Sequence, residues 1–137
     1  HIYFVGSGVL YPVALFAMAK ARELKLYHSI AFELEEFMHY GNIALDENSA
    51  VVILATEEDK ERVLDLLDLL KSYRAEVILI SNFNWGEHHI KLENYGVVAA
   101  LEALNRIHSL FLEQAKLKWG DKIILETGER ISEKIRV

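Results

Sequence analysis

Three groups of residues in this chain have the types and spacing to do chemistry. The first is Gly6-Ser7-Gly8, with Tyr11 three positions on, directly after the apolar run Ile2-Tyr3-Phe4-Val5. A short buried strand that ends on a glycine pair and passes into a helix turns backbone N–H groups toward an open mouth, where they can hold a ligand. The second is Lys20 and Glu23, three apart and therefore on one face of the helix that follows. On an exposed helix they are a simple surface ion pair; on a helix sunk in apolar surroundings they are a partly buried couple at the edge of a cleft. The third is Glu36-Phe37-Met38-His39, which on its own reads as the solvated end of an acidic helix.

Other candidates lead nowhere chemical. Gly6-Ser7-Gly8 lacks the third glycine of a dinucleotide fingerprint, since Tyr11 stands in its place, and the next strand closes on Ala55-Thr56 without an acidic residue. No nicotinamide, and no other cofactor, is expected. His88-His89 has no carboxylate at helical ligand spacing, and neighbouring histidines on a strand face opposite ways, so no metal is expected. The run Glu57-Glu58-Asp59-Lys60-Glu61-Arg62 is a helix start, with acids at the positive end of the macrodipole.

The elements that must position these groups alternate. Apolar runs predict strands at 2–5, 50–55 and 76–81, with a short edge strand at 89–92. Helical spacing predicts helices at 12–27, 57–73 and 95–119, the first opened by Pro12 and the last ended by Gly120. The first is so poor in polar residues that packing on most of its girth is expected. Thr56 and Asp59 have the spacing of a capping box for the second. Residues 28–32 are irregular or extended, residues 33–39 form a short acidic helix broken by Gly41-Asn42, and the tail at 121–137 is charged and weakly patterned. This alternation predicts an α/β fold, a three-layer sandwich around a mainly parallel sheet. The 137 residues form one domain with room for a real core.

Composition narrows the partners. The chain is 52% hydrophobic and 26% charged, carries a net charge of −6 and has no basic run, so no nucleic acid is expected. No segment approaches the ~18 consecutive apolar residues of a membrane span, so no membrane is expected either. There is no cysteine, which removes thiolate chemistry and fits a reducing compartment; a cytoplasmic protein is expected. The chain opens on a strand at His1, without an initiator methionine, and reads as a fragment or trimmed domain.

Taken together, Phe4-Val5-Gly6-Ser7-Gly8, Tyr11-Pro12-Val13-Ala14-Leu15, Lys20 with Glu23, and Glu36-Phe37-Met38-His39 resemble the sugar-isomerase (SIS) domain. The resemblance is to the form found in the carboxy-terminal half of glucosamine-6-phosphate synthase and its deaminase and deglycase relatives. That form reads G-x-G-x-x-Y-P-x-A-L-E-x-x-x-K-x-x-E, then E-x-x-H-G. Arg130-x-x-x-Lys134 resembles the R-x-x-x-K of the synthase tail. The chain differs at Phe16, where the family has the glutamate of A-L-E, and at Tyr40, where it has the glycine after the histidine.

The resemblance implies a flavodoxin-like SIS domain, the carboxy-terminal half of a two-SIS protein acting on a hexose phosphate or amino-hexose phosphate. Glu23 would move the proton between sugar C1 and C2, with Lys20 one turn before it. His39 would serve ring opening in the neighbouring subunit's site, and Lys134 would form a Schiff base with the open sugar. Gly6, Ser7, Gly8 and Tyr11 would line the sugar's binding cleft. The phosphate would be held by the other half, because the loop Thr56-Glu57-Glu58-Asp59 is too acidic for it. A phosphosugar-binding sensor or a dimerisation module is the alternative. A second SIS domain, in the same chain or a second copy, is the expected partner, and Tyr11, Phe16, Phe32, Phe37 and Tyr40 are expected to crowd around the cleft.

Overall fold

The computed structural model describes residues 1–86 and 88–120. Five strands, β1 (Ile2–Gly6), β2 (Ser29–Glu33), β3 (Ala50–Ala55), β4 (Glu76–Ser81) and β5 (His89–Lys91), form one sheet in the order β2-β1-β3-β4-β5. Every pairing is parallel. Four helices cover it: α1 (Tyr11–Glu23), α2 (Leu34–His39), α3 (Lys60–Tyr73) and α4 (Gly96–Trp119). The three-layer α/β architecture expected from the alternation is therefore present.

Strand alternation divides the core in two. In β1, Phe4 points to one face and Tyr3 and Val5 to the other; in β3, Val52 and Leu54 oppose Val51, Ile53 and Ala55. The first face is covered by α1 and α4 through Val13, Ala14, Ala17, Ala21, Ala99, Ala103, Ile107 and Phe111. The second is covered by α2 and α3 through Leu34, Phe37, Val63, Leu66, Leu67 and Leu70. The alanines of α1 and α4 let both helices lie close to the sheet.

Three expectations are corrected. Residues 29–33 are a regular edge strand, paired Ile2↔Ser29 through Gly6↔Glu33. Helix α1 stops at Glu23, four residues short of the expected end. Lys25 turns left-handed (φ 51), its N–H donating to Arg22 O at 3.0 Å, while Leu26 N–H donates to Ala21 O at 2.9 Å. This is a Schellman closure, made without the usual glycine and locked by burial of Leu26 beside Ala21. Nor is α1 packed on most of its girth: Leu15 and Ala19 are exposed, and only one stripe faces the sheet.

The turn from β1 into α1 depends on Gly6. A Cβ there would lie 2.7 Å from Tyr11 Cα and 2.8 Å from Leu10 O, both backbone atoms with no freedom to withdraw. Gly8 is needed for a different reason: its surroundings are open, but its φ of 48° is left-handed. Gly6→Ala is expected to cost about 1–3 kcal/mol by overpacking. It should appear as a lower urea midpoint at unchanged slope; a midpoint equal to the parent's would mean that α1 can shift away from the strand end.

Candidate functional site

In a sheet of this order the chain departs in opposite directions from β1 and β3, leaving a crevice at their carboxyl ends. Here it is a cleft of about 260 Å³ whose walls include Ser7, Gly8, Thr56, Glu58, Asp59 and Tyr95. Ser7 is extended (φ −116, ψ 148) and almost wholly buried. Its hydroxyl donates to Asp59 Oδ2 at 2.5 Å, and the Thr56 hydroxyl lies 3.5 Å from the same oxygen. The expected capping box is absent, because the Asp59 carboxylate is turned to these hydroxyls and α3 begins only at Lys60. The next free donor, Glu57 N–H, is taken by Asn82 Oδ1 at 2.7 Å. The cleft thus holds an internal carboxylate where an incoming anion would sit, with Glu57 and Glu58 beside it. Gly6, Ser7 and Gly8 shape this mouth, whereas Tyr11 packs into the core on the α1–α4 side.

Lys20 and Glu23 are elsewhere. Helix α1 starts at the carboxyl edge of the sheet and runs back across it, so its thirteen residues carry Glu23 about 18 Å away, to the amino edge. Within a single domain this carboxylate therefore does not reach the glycine turn. The pair is also more open than expected: Lys20 Nζ and Glu23 Oε2 are 2.6 Å apart, with 32% and 47% of the side chains exposed. Lys20 lies over the Phe16 ring at 5.8 Å, and Phe16 meets the His108 ring edge-on at 4.8 Å. Sequence reasoning missed His108, which reaches this group only because α4 packs along α1. Chemically this is a carboxylate paired with a cation, presented outward on a flank no other element of the described residues covers.

His39 belongs to a third location. Helix α2 leaves the carboxyl end of β2 on the opposite face of the sheet from α1. Its start is capped by the Glu33 side chain, which accepts from Glu35 N–H at 2.7 Å. Its end is held by Asn42 Nδ2, which donates to Phe37 O and Met38 O at 2.9 and 2.7 Å. His39 is 74% exposed, with Nε2 3.9 Å from Glu35 Oε2. Glu35 in turn takes two hydrogen bonds from Arg62 of α3, at 2.6 and 2.7 Å. The aromatic residues expected around one cleft are likewise divided: Phe32, Phe37 and Tyr40 pack together on the α2 side, and Tyr11 and Phe16 lie on the α1 side. Lys134 lies outside the described residues. Among the described residues no acidic or histidine cluster could hold a metal. His89 instead sits 3.0 Å from the Ser81 hydroxyl. No helix among them is long and apolar enough to cross a membrane.

The family model of the SIS domain matches residues 1–87. Glutamine–fructose-6-phosphate aminotransferase (isomerizing) from Methanosarcina mazei is 32% identical over 83 residues, 60% of this chain but only 13% of that protein. The chain therefore spans a small part of the curated relatives it matches. Among solved structures, tagatose-6-phosphate ketose/aldose isomerase from Escherichia coli superposes with a TM-score of 0.75 at 23% identity, covering 86% of this chain and 36% of that one. The C-terminal domain of glucosamine-fructose-6-phosphate aminotransferase from Francisella tularensis gives 0.68 at 20% identity, covering 85% and 36%.

The Arg62 guanidinium, bonded to both Glu35 oxygens, holds that carboxyl below the usual carboxylate range. A depressed carboxyl stabilises the fold above its unfolded pKa and loses that contribution as pH falls through the lower folded value. The α2–α3 link should therefore loosen only on the acid side of the ordinary carboxylate range. A carboxyl NMR titration should find Glu35 titrating below the exposed glutamates, and Arg62→Gln should return it to their range. Equal titration in parent and variant would show that the ion pair does not form in solution.

Proposed function

The chain belongs to the SIS-domain family, and on that footing we propose that it is the carboxy-terminal half of a two-SIS enzyme acting on a hexose phosphate or amino-hexose phosphate. The observation that carries this reading is the division of labour in the domain. Its own strand-end crevice is closed to anions by Asp59, while its ion-paired Glu23 faces outward on an uncovered flank of α1. Such a domain is built to lend a carboxylate to a sugar held by a second SIS domain, whose loop supplies the phosphate anchor. In that composite site Glu23 takes the proton from the carbon beside the carbonyl and returns it to the former carbonyl carbon, while the neighbouring hydroxyl proton passes to the former carbonyl oxygen. Lys20 pairs with it at 2.6 Å. His39, exposed on the far side of the sheet, serves ring opening in a neighbouring subunit, and Lys134 condenses with the open-chain carbonyl. A protein of this metabolism would work in the cytoplasm.

Two observations favour a second reading, a phosphosugar sensor or dimerisation module. Phe16 stands where the family carries a glutamate, and its ring occupies the space between Lys20 and His108. The strand-end mouth, the Lys20–Glu23 pair and His39 also fall at separate places in one domain. Replacing Glu23 by Gln keeps the shape and removes the base. In the protein carrying both halves this should lower solvent-proton exchange at sugar C2 by ~10²–10⁴-fold, with sugar-phosphate affinity retained. Unchanged exchange would make Glu23 an ion-pair partner only and put the sensor reading first.

Pairing with a second SIS unit makes its own prediction. Leu15 on α1 and Val97, Val98 and Leu101 on α4 are exposed, more apolar surface than a lone domain leaves wet. Sedimentation of the isolated chain should show a concentration-dependent dimer whose population falls on Leu101→Glu. A monomer at all concentrations would leave only the partner half to cover this surface.

A further inference from the structure

Cations without a carboxylate partner gather at the amino edge of the sheet. Lys20, Lys60, Arg62, Lys71, Lys91 and Arg106 each have a carboxylate within ion-pairing distance. Among the described residues Arg22, Lys25, Arg74, Lys116 and Lys118 have none, and in a chain of net charge −6 three of these, Arg22, Lys25 and Lys118, line one hollow of about 430 Å³ together with Leu26, Tyr27 and His28.

Part of this arrangement is structural. Helices α1 and α4 both end here, and helix carboxyl ends attract cations. Arg22 Nε donates to Ser29 O at 2.9 Å, and a terminal nitrogen donates to the same oxygen. Lys118 Nζ donates to Lys25 O and Leu26 O, each at 2.9 Å. Those carbonyls aim the two cations without neutralising them, and they leave one ammonium N–H and the other guanidinium nitrogen uncommitted. Lys25 has no such duty. It holds the left-handed position of the α1 closure, where a side chain costs about 1 kcal/mol relative to glycine. The turn would be better served without it.

We infer that this hollow is a binding site for the phosphate group of a small phosphorylated molecule, held by Arg22, Lys25 and Lys118. Several preset donors of positive charge around one concavity are the chemistry that recognises a dianionic phosphate. Tyr27 and Leu26 offer an apolar wall for the rest of a small ligand, and the net negative charge of the chain disfavours a long polyanion. The site lies across the sheet from the Asp59-closed crevice and does not depend on the role proposed for Glu23.

The test is an amide NMR titration of the full chain with inorganic phosphate, glucose 6-phosphate and glucose. Both phosphates should shift the amides of residues 25–28 and the Trp119 indole N–H, which donates to Leu24 O at 3.1 Å at the rim, saturably. Dissociation constants should be in about the millimolar range or tighter. Tighter binding of glucose 6-phosphate identifies an organic phosphate as the ligand, and equal binding identifies the free ion. Lys25→Gly should weaken both about tenfold while leaving the melting temperature unchanged or higher. Lys116→Gln, a charge removed from the same helix end but outside the hollow, should change neither. Absence of saturable shifts, equal shifts with glucose, unaltered binding in Lys25→Gly, or equal weakening in Lys116→Gln would each overturn the site.

Discussion

Strand β1 is hydrogen-bonded in parallel on both sides, to β2 and to β3, and the rest of the molecule follows from that. Parallel neighbours cannot be joined by a tight turn; each connection must cross a face of the sheet, and in the right-handed sense. The step from β1 to β2 goes one way and the step from β3 to β4 the other, so α1 and α3 are placed on opposite faces. A crevice then opens between the carboxyl ends of β1 and β3. The same geometry sends α1 back over the sheet and delivers Lys20 and Glu23 to the opposite edge. Within this domain Glu23 and the strand-end crevice therefore lie at opposite edges of the sheet.

The parts of the fold legible in sequence were those in which burial alone decides. β1, β3 and β4 are central strands covered on both faces, so they read as unbroken apolar runs. β2 was legible only as irregular or extended, because an edge strand is half wet: Ser29, Ala31 and Glu33 alternate with the exposed Ile30 and the partly buried Phe32, and no run forms. The end of α1 was missed because Leu24 and Leu26 continue the apolar pattern while the chain has already turned at Lys25, where the usual glycine signal is lacking. The bare flank of α1 was hidden for a related reason, since alanine and leucine look alike to periodicity whether they face a sheet or a partner.

The site was legible as types and motifs but not as places. Gly6, Ser7 and Gly8 do shape the strand-end mouth, and Lys20 and Glu23 do pair. What no local spacing could reveal is that Ser7 spends its hydroxyl on Asp59, a residue from the far side of β3, or that His108 meets Phe16. These contacts are made by the topology. The division of Phe16 from Phe37 by the sheet is of the same kind: residues on successive elements look clustered in the chain and are separated by a layer in space.

The central position of β1 also has a consequence for how the chain reaches its native state. Ile2 is paired with Ser29 on one side and Ala50 on the other, so β1 is completed by segments that come later in the chain. Until β3 arrives, Tyr3, Phe4 and Val5 have no second neighbour in the sheet. Loop closure over such distances is paid before the ladder returns anything, which makes non-local parallel pairing slow. The nucleus should therefore form within β3, α3 and β4, which are contiguous in sequence and share the core of Val63, Leu66 and Leu70. On this view the glycine turn, though it comes early in the sequence, is among the last parts to acquire its shape, and a chain arrested before β3 leaves β1 unpaired on one side.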